Sequence, residues 1–129
     1  FFYQDVYFCL NQVLNRAEGG GIIDIEFGLS RNGIDWHRPL RESFFIPRPS
    51  TGGKNRTGQA EKDQFDSGSI FTNSTPVFLE DEIRFYYGGY SKGATGADDY
   101  THISGVGMVT LPTDRFAGIT PLLLVTSQL

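Results

Sequence analysis

The sequence predicts an all-β protein, and three observations support this fold class. Sixteen of the 129 residues are glycine and 14% are aromatic, a composition typical of many short strands joined by turns. No stretch repeats apolar residues at helical spacing between good helix caps. Segments that alternate apolar and polar residues recur along the chain, separated by segments rich in glycine or proline. We therefore expect antiparallel strands and little helix.

The first third of the chain predicts two long strands and a tight turn. Residues 2–13 alternate as a strand, and residues 14–21 form a loop that ends in three glycines. Residues 22–30 form the second strand. The turn that follows contains Asn32-Gly33, a pair that supplies the positive φ angles of a two-residue hairpin.

A short outer strand and a long excursion are expected next. Residues 34–38 would return along the second strand, with Trp36 packed in the core. Residues 39–65 contain three prolines, several glycines and charged residues, and no periodicity. They predict a long surface loop, and long ordered loops are often functional.

The second half of the chain predicts a further set of strands. Glu80-Asp81 turns one hairpin, residues 91–102 form a polar, Gly-containing loop, and residues 112–114 turn the last hairpin. The strands are predicted over residues 68–73, 75–79, 83–90, 105–111 and 116–119.

The two halves repeat the same order of strand, loop and strand, offset by roughly 80 residues. Repeats of several strands each are typical of β-propellers, and this chain is too short to close such a ring. The first three residues have the character of a strand interior, so we expect that the natural chain begins upstream. In propeller terms the expected organisation is outer strands of one blade over residues 1–38, an inter-blade loop over 39–65, a complete blade over 66–120, and a strand leading out over 121–129.

Composition excludes several classes of function. The formal charge of −4 argues against a nucleic-acid partner, which would require a basic face. No stretch is long enough to span a bilayer, so no membrane partner is expected. The single cysteine, Cys9, excludes an internal disulfide and predicts a buried free thiol. Sequons at Asn55 and Asn73 are compatible with secretion, and we expect an extracellular or periplasmic location.

Three segments carry a resemblance to a known group of proteins. Residues 27–36 read FGLSRNGIDW, residues 85–90 read FYYGGY, and residues 106–116 read VGMVTLPTDRF. These resemble repeated elements of the five-bladed β-propeller glycosidases and their relatives, the group that includes glycoside hydrolase families 32, 43 and 130. Asn32 stands where that group usually has Asp, and either residue serves the turn. The resemblance implies a partial five-bladed β-propeller with antiparallel four-stranded blades.

The resemblance also implies a function for the whole protein. Its relatives bind or hydrolyse glycans at the propeller mouth, using carboxylates from the inner strands. Hydrolysis of a glycosidic bond needs two carboxyl groups about 5–10 Å apart. In this chain Asp66, at the entrance to the innermost strand of the second blade, is the expected catalytic carboxylate. The alternative is that Asp66 caps a turn through Ser67 and Gly68.

Three further residues are expected to contact the substrate. Tyr87 and Tyr90 offer flat rings for a sugar, and His102 closes a loop at the mouth; packing or a surface position is the alternative for each. In arabinan-cleaving relatives a histidine from a late blade reaches a central ion or water. We expect no metal and no cofactor, since the adjacent Asp98 and Asp99 suit solvated loop charge better than a calcium site.

Two other interpretations remain open. The chain is a non-catalytic, lectin-like or structural fragment if the other blades lack facing carboxylates, or it folds alone as a small sandwich. If the chain is a fragment of a propeller, its unpaired blade edges require the remaining blades or another chain as a partner. Carbohydrate is the other expected partner.

Overall fold

The computed structural model describes residues 1–16, 21–39, 41, 43–49, 64–94 and 103–116, and over these residues the protein is all-β. Seven strands and no α-helix are found there, which confirms the prediction of an all-β protein. The strands are β1 (Phe2–Tyr3), β2 (Val6–Asn15), β3 (Ile22–Ser30), β4 (Ser69–Thr72), β5 (Val77–Phe78), β6 (Glu82–Tyr90) and β7 (Ser104–Pro112).

All seven strands belong to one sheet, which curls into a half-barrel. Two long hairpins form most of it: β2 pairs with β3 and β6 pairs with β7, each antiparallel over nine residue pairs. β1 extends the sheet beyond β2, while β4 and β5 pair with successive parts of the same edge of β6. The hairpins meet where β3 and β4 run parallel, through the single pair Ile23 and Ser69. The repeated segments of the sequence are therefore the two hairpins of one continuous sheet.

The hydrophobic core joins these two hairpins. Alternate residues of a strand point to opposite faces, so β6 directs Ile83 and Phe85 to the core and its even-numbered residues away from it. Phe116, just after β7, stacks on Phe8 and Phe27 with ring centroids 4.7 and 5.8 Å apart, which ties the end of the second hairpin to the first. The buried core cluster consists of Ile25, Ile46, Ile70, Ile83 and Phe85.

The predicted strand over residues 2–13 is interrupted near its start. Gln4 and Asp5 have φ angles of 50° and 59° and form the two-residue turn between β1 and β2. Residues other than glycine rarely adopt this left-handed backbone conformation, which costs about 1–2 kcal/mol per residue. The amide of Gln4 and the hydroxyl of Tyr3 both donate to Asp114, which holds this turn in place.

The turn after β3 differs from the predicted two-residue hairpin, so that prediction is wrong. Gly33 has a positive φ of 74°, but Asn32 does not. Asn32 instead uses its side chain, whose Oδ1 accepts the N–H groups of Ile34 and Asp35 at 2.9 Å each. The side-chain oxygen replaces a backbone acceptor, so the loop is wider than the Asn-Gly pair alone indicated.

The predicted outer strand over residues 34–38 is reduced to one bridge, His37 to Leu29. The expectation that Trp36 lies in the core is wrong, because its side chain is 44% exposed and its indole N–H donates to the Gly33 carbonyl oxygen. Farther along the same edge of β3, Ile46 bridges to Ile25. Part of the expected surface loop therefore covers the edge of the sheet and contributes a core residue. The predicted strands beyond residue 116 lie outside the described residues.

Candidate functional site

The candidate site is built around a hydrogen bond between Asp66 and Tyr87. The Tyr87 hydroxyl donates to Oδ2 of Asp66 at 2.7 Å. The Asp66 residue is 6% exposed, and its other carboxylate oxygen, Oδ1, is buried with no hydrogen-bond partner among the described residues. A carboxylate oxygen in this position has full capacity to accept one more hydrogen bond.

The backbone around Asp66 is fixed by its neighbours. The N–H and hydroxyl of Ser67 both donate to the Gln64 carbonyl oxygen, and the Gly68 N–H donates to the Tyr90 carbonyl oxygen. The turn is therefore closed by backbone groups and by Ser67, while the Asp66 carboxylate is directed to Tyr87. The Asp66 side chain accepts its hydrogen bond from the Tyr87 hydroxyl, which argues against the alternative that Asp66 caps this turn.

Glycines on β6 and β7 make room for the side chains of the site. A Cβ added at Gly89 would lie 2.6 Å from the Cβ of Asp66, and one added at Gly107 would lie 2.1 Å from the Tyr87 ring. A Cβ at Gly105 would contact the ring of Phe65, which stacks on Tyr87 with centroids 6.3 Å apart. The glycine-rich sequence of these two strands thus allows close approach of two aromatic rings and a carboxylate to the backbone.

The environment of Tyr87 favours its neutral phenol. Burial raises the pKa of Tyr87, and the hydrogen bond to the Asp66 carboxylate and the negative charge of that group raise it further. The phenol therefore remains a hydrogen-bond donor to Oδ2 across the physiological range, while Oδ1 stays buried without a hydrogen bond from the described residues.

Alkaline titration tests this arrangement. Because the pKa of Tyr87 is raised in the folded protein, the stability that its neutral form contributes is fully present below the ordinary tyrosine pKa of about 10. This stability is lost as the pH rises above that value and through the folded-state pKa. In absorbance titration at 295 nm, we expect Tyr87→Phe to remove amplitude only from the last part of the curve. Asp66→Asn should move that last step to lower pH. Loss of amplitude from the early part of the curve in Tyr87→Phe would contradict the assignment.

The structure brings together only two of the expected site residues. Asp66 and Tyr87 are in contact, whereas Tyr90 lies on the opposite face of β6, 42% exposed and in edge-to-face contact with Phe71. His102 lies outside the described residues, as do the acidic pair at positions 98 and 99.

A buried ion pair next to this site was missed by the sequence reasoning. Asp24, near the start of β3, accepts hydrogen bonds from the backbone N–H of Arg48 at 2.8 Å on Oδ1 and from its side-chain Nε–H at 3.1 Å on Oδ2. Nη1 of Arg48 donates to the Ser67 carbonyl oxygen at 2.7 Å. One guanidinium thus links β3 to the residue that follows Asp66, and it stabilises the backbone of the candidate site.

A second ion pair lies two residues farther along β3. Glu26 is 1% exposed and its Oε2 accepts Nε of Arg38 at 2.7 Å, while Oε1 has no partner among the described residues. The signal for both pairs was present in the sequence, because β3 alternates acidic with apolar residues. The two arginines, Arg38 and Arg48, stand in the segment that follows β3.

The single cysteine, Cys9, is a poor nucleophile. It lies partly buried over Gly28 of the neighbouring strand, where an added Cβ would be 2.5 Å from the sulfur. Burial is the main cause that raises the pKa of the Cys9 thiol, which lowers the thiolate fraction at neutral pH.

Within the described residues, no group of three His, Cys, Asp or Glu side chains is placed to hold a metal ion. No helix in that part of the chain is long and apolar enough to cross a membrane. Comparison with protein-family models, with curated proteins and with solved structures found no match to this chain.

Proposed function

We propose that this chain is part of a carbohydrate-active β-propeller protein, similar to glycoside hydrolases, that binds or hydrolyses a glycan at a site containing Asp66. The observation that carries the proposal is the buried, unpartnered Oδ1 of Asp66 beside the neutral Tyr87 phenol. Leaving a buried acceptor unpaired costs about 1–3 kcal/mol, and more for a charged group. In this proposal, a sugar hydroxyl that reaches Oδ1 on binding supplies the missing donor and offsets that cost.

The propeller part of the proposal rests on the two hairpins. Each has nine residue pairs, and they share one parallel pair of residues at their junction. A junction of only one residue pair is compatible with two neighbouring blades, because the other pairs of the long strands lie within each hairpin. In this proposal the unpaired strand edges are covered by the remaining blades or by another chain.

Hydrolysis requires a second carboxylate, and this favours binding as the minimum function of the chain itself. Asp24 and Glu26 are buried but each is paired with an arginine. A general acid or nucleophile needs a carboxyl group that reaches the substrate. Within the described residues, Asp66 is the buried carboxylate without an arginine partner, so a second catalytic carboxylate would come from another blade. A lectin-like role is the alternative if no blade supplies it.

The test compares two aspartates that accept a hydrogen bond from a tyrosine. Asp114 accepts from Tyr3 at 2.6 Å on the surface, whereas Asp66 accepts from Tyr87 inside the protein. Against a panel of neutral polysaccharides, we expect Asp66→Asn to weaken binding at least tenfold, and hydrolysis equally if reducing ends are released. Asp114→Asn should stay within twofold of the parent protein. Equal affinities of both variants and the parent would overturn the role of Asp66.

A further inference from the structure

The loop after β3 carries an exposed arginine that is held from below by a buried carboxylate. We infer that Arg38, positioned by Glu26, binds the carboxylate group of an acidic sugar, such as a uronic acid, and that the exposed Trp36, two residues earlier in the chain, contacts the sugar ring. This inference rests on the proposed carbohydrate function, but it concerns residues other than Asp66 and Tyr87.

The anchoring of Arg38 is asymmetric. Its Nε donates to Oε2 of Glu26 at 2.7 Å and its Nη2 contacts the same oxygen. The Glu26 side chain is 1% exposed, whereas the Arg38 side chain is 41% exposed. Burying a carboxylate is costly, and the contact with Arg38 offsets part of that cost for Glu26. The same contact fixes the direction of a guanidinium that is partly exposed to solvent.

The solvent-facing edge of Arg38 retains donors for a ligand. A guanidinium has five N–H groups, and the contacts with Glu26 use two of them. Arg38 has no other partner among the described residues. The three remaining N–H groups suit a planar, two-oxygen acceptor, because arginine and carboxylate form parallel hydrogen bonds.

An exposed aromatic residue, Trp36, stands two positions before Arg38 in the chain. His37 pairs with Leu29, so Trp36 and Arg38 flank that pair and lie on the same side of the segment, roughly 7 Å apart along an extended backbone. The Trp36 ring is 44% exposed, and its N–H bond to the Gly33 carbonyl oxygen fixes its orientation. A flat indole face packs well against the C–H face of a sugar ring, while the arginine takes its carboxylate.

The experiment uses two ligands that differ only in their carboxylates: trigalacturonate and its fully methyl-esterified form. By calorimetry at low salt, we expect the protein to bind trigalacturonate at least tenfold more tightly than the ester. Arg38→Gln should abolish this preference. The matched control is Arg84→Gln, because Arg84 pairs with Glu82 at 2.6 Å with both side chains exposed, and it should keep the preference.

Two further variants separate binding from folding. The double variant Glu26→Gln with Arg38→Gln leaves no unpaired buried charge and should also lack the preference, with an unchanged circular dichroism spectrum. Trp36→Ala removes an exposed ring and should weaken both ligands at least threefold. Equal binding of acid and ester by the parent protein, or no binding of either, would overturn the inference. The proposed function is tested separately. It fails if the protein binds no neutral polysaccharide of the panel, or if Asp66→Asn binds them as tightly as the parent protein.

Discussion

Replacing Arg48 with methionine is expected to lower the free energy of unfolding by about 3–5 kcal/mol, because the substitution leaves the Asp24 carboxylate buried without its partner. Both side chains are almost fully buried, 5% and 3% exposed, so water cannot replace the lost contacts. The Ser67 carbonyl oxygen also loses the hydrogen bond that Nη1 of Arg48 donates to it. Urea unfolding followed by circular dichroism measures the change in free energy of unfolding.

The control for this prediction is the exposed pair of Arg84 and Glu82. Arg84→Met removes an ion pair of similar length, but both partners are more than one-third exposed, so the expected change is about 0–1 kcal/mol. Replacing Asp24 and Arg48 together by asparagine and methionine should recover part of the loss, since no buried charge remains unpaired. Equal effects of the two single arginine substitutions would show that burial of the Asp24 pair contributes nothing.

Replacing Phe85 with alanine is expected to cost about 3–5 kcal/mol by creating a cavity in the core. Phe85 is 2% exposed and its ring contacts those of Phe45 and Phe116 at centroid distances of 5.2 and 6.4 Å. These rings come from separate segments, so the cavity loosens the contact between both hairpins and the chain that follows β7. The same urea unfolding experiment measures the loss.

Tyr86 provides the matched control for Phe85, because it is the next residue on the same strand and points to the opposite face. It is 39% exposed, so Tyr86→Ala removes a ring of similar size at a smaller cost, about 1 kcal/mol or less. If the two alanine variants are destabilised equally, the assignment of the two faces of β6 is wrong.

The strands were predictable because their local pattern and their tertiary environment agree. β3 and β6 were expected over residues 22–30 and 83–90, and the structure has them at Ile22–Ser30 and Glu82–Tyr90. Alternation also placed Tyr86 and Tyr87 on opposite faces. The same rule places Tyr90 on the face of β6 opposite to Tyr87. The expectation that both tyrosines contact the substrate did not take this into account.

Other features depend on contacts that local patterns do not carry. The turn at Gln4-Asp5 lacks glycine or asparagine and is held by Asp114, more than a hundred residues away. Trp36 is exposed because the side chain of Asn32 shapes the preceding loop.

The candidate site shows the same division between local and distant information. Asp66 could be selected from the sequence, because it stands at the entrance to a predicted strand. Its hydrogen bond with Tyr87 depends on how β4 pairs with β6, and the link through Arg48 depends on a segment with no periodicity. Opposite charges in β3 and in the following segment were visible, but their pairing is set by the fold.

The role of Asp66 as a ligand acceptor is tested most directly by the carboxyl carbon resonances of the aspartates, labelled with carbon-13, during titration with a glycan that the protein binds. We expect the Asp66 signal, identified by its loss in Asp66→Asn, to shift and to saturate with the binding isotherm, while the Asp114 signal stays in place. A glycan that saturates the protein and leaves the Asp66 signal unmoved would contradict the account.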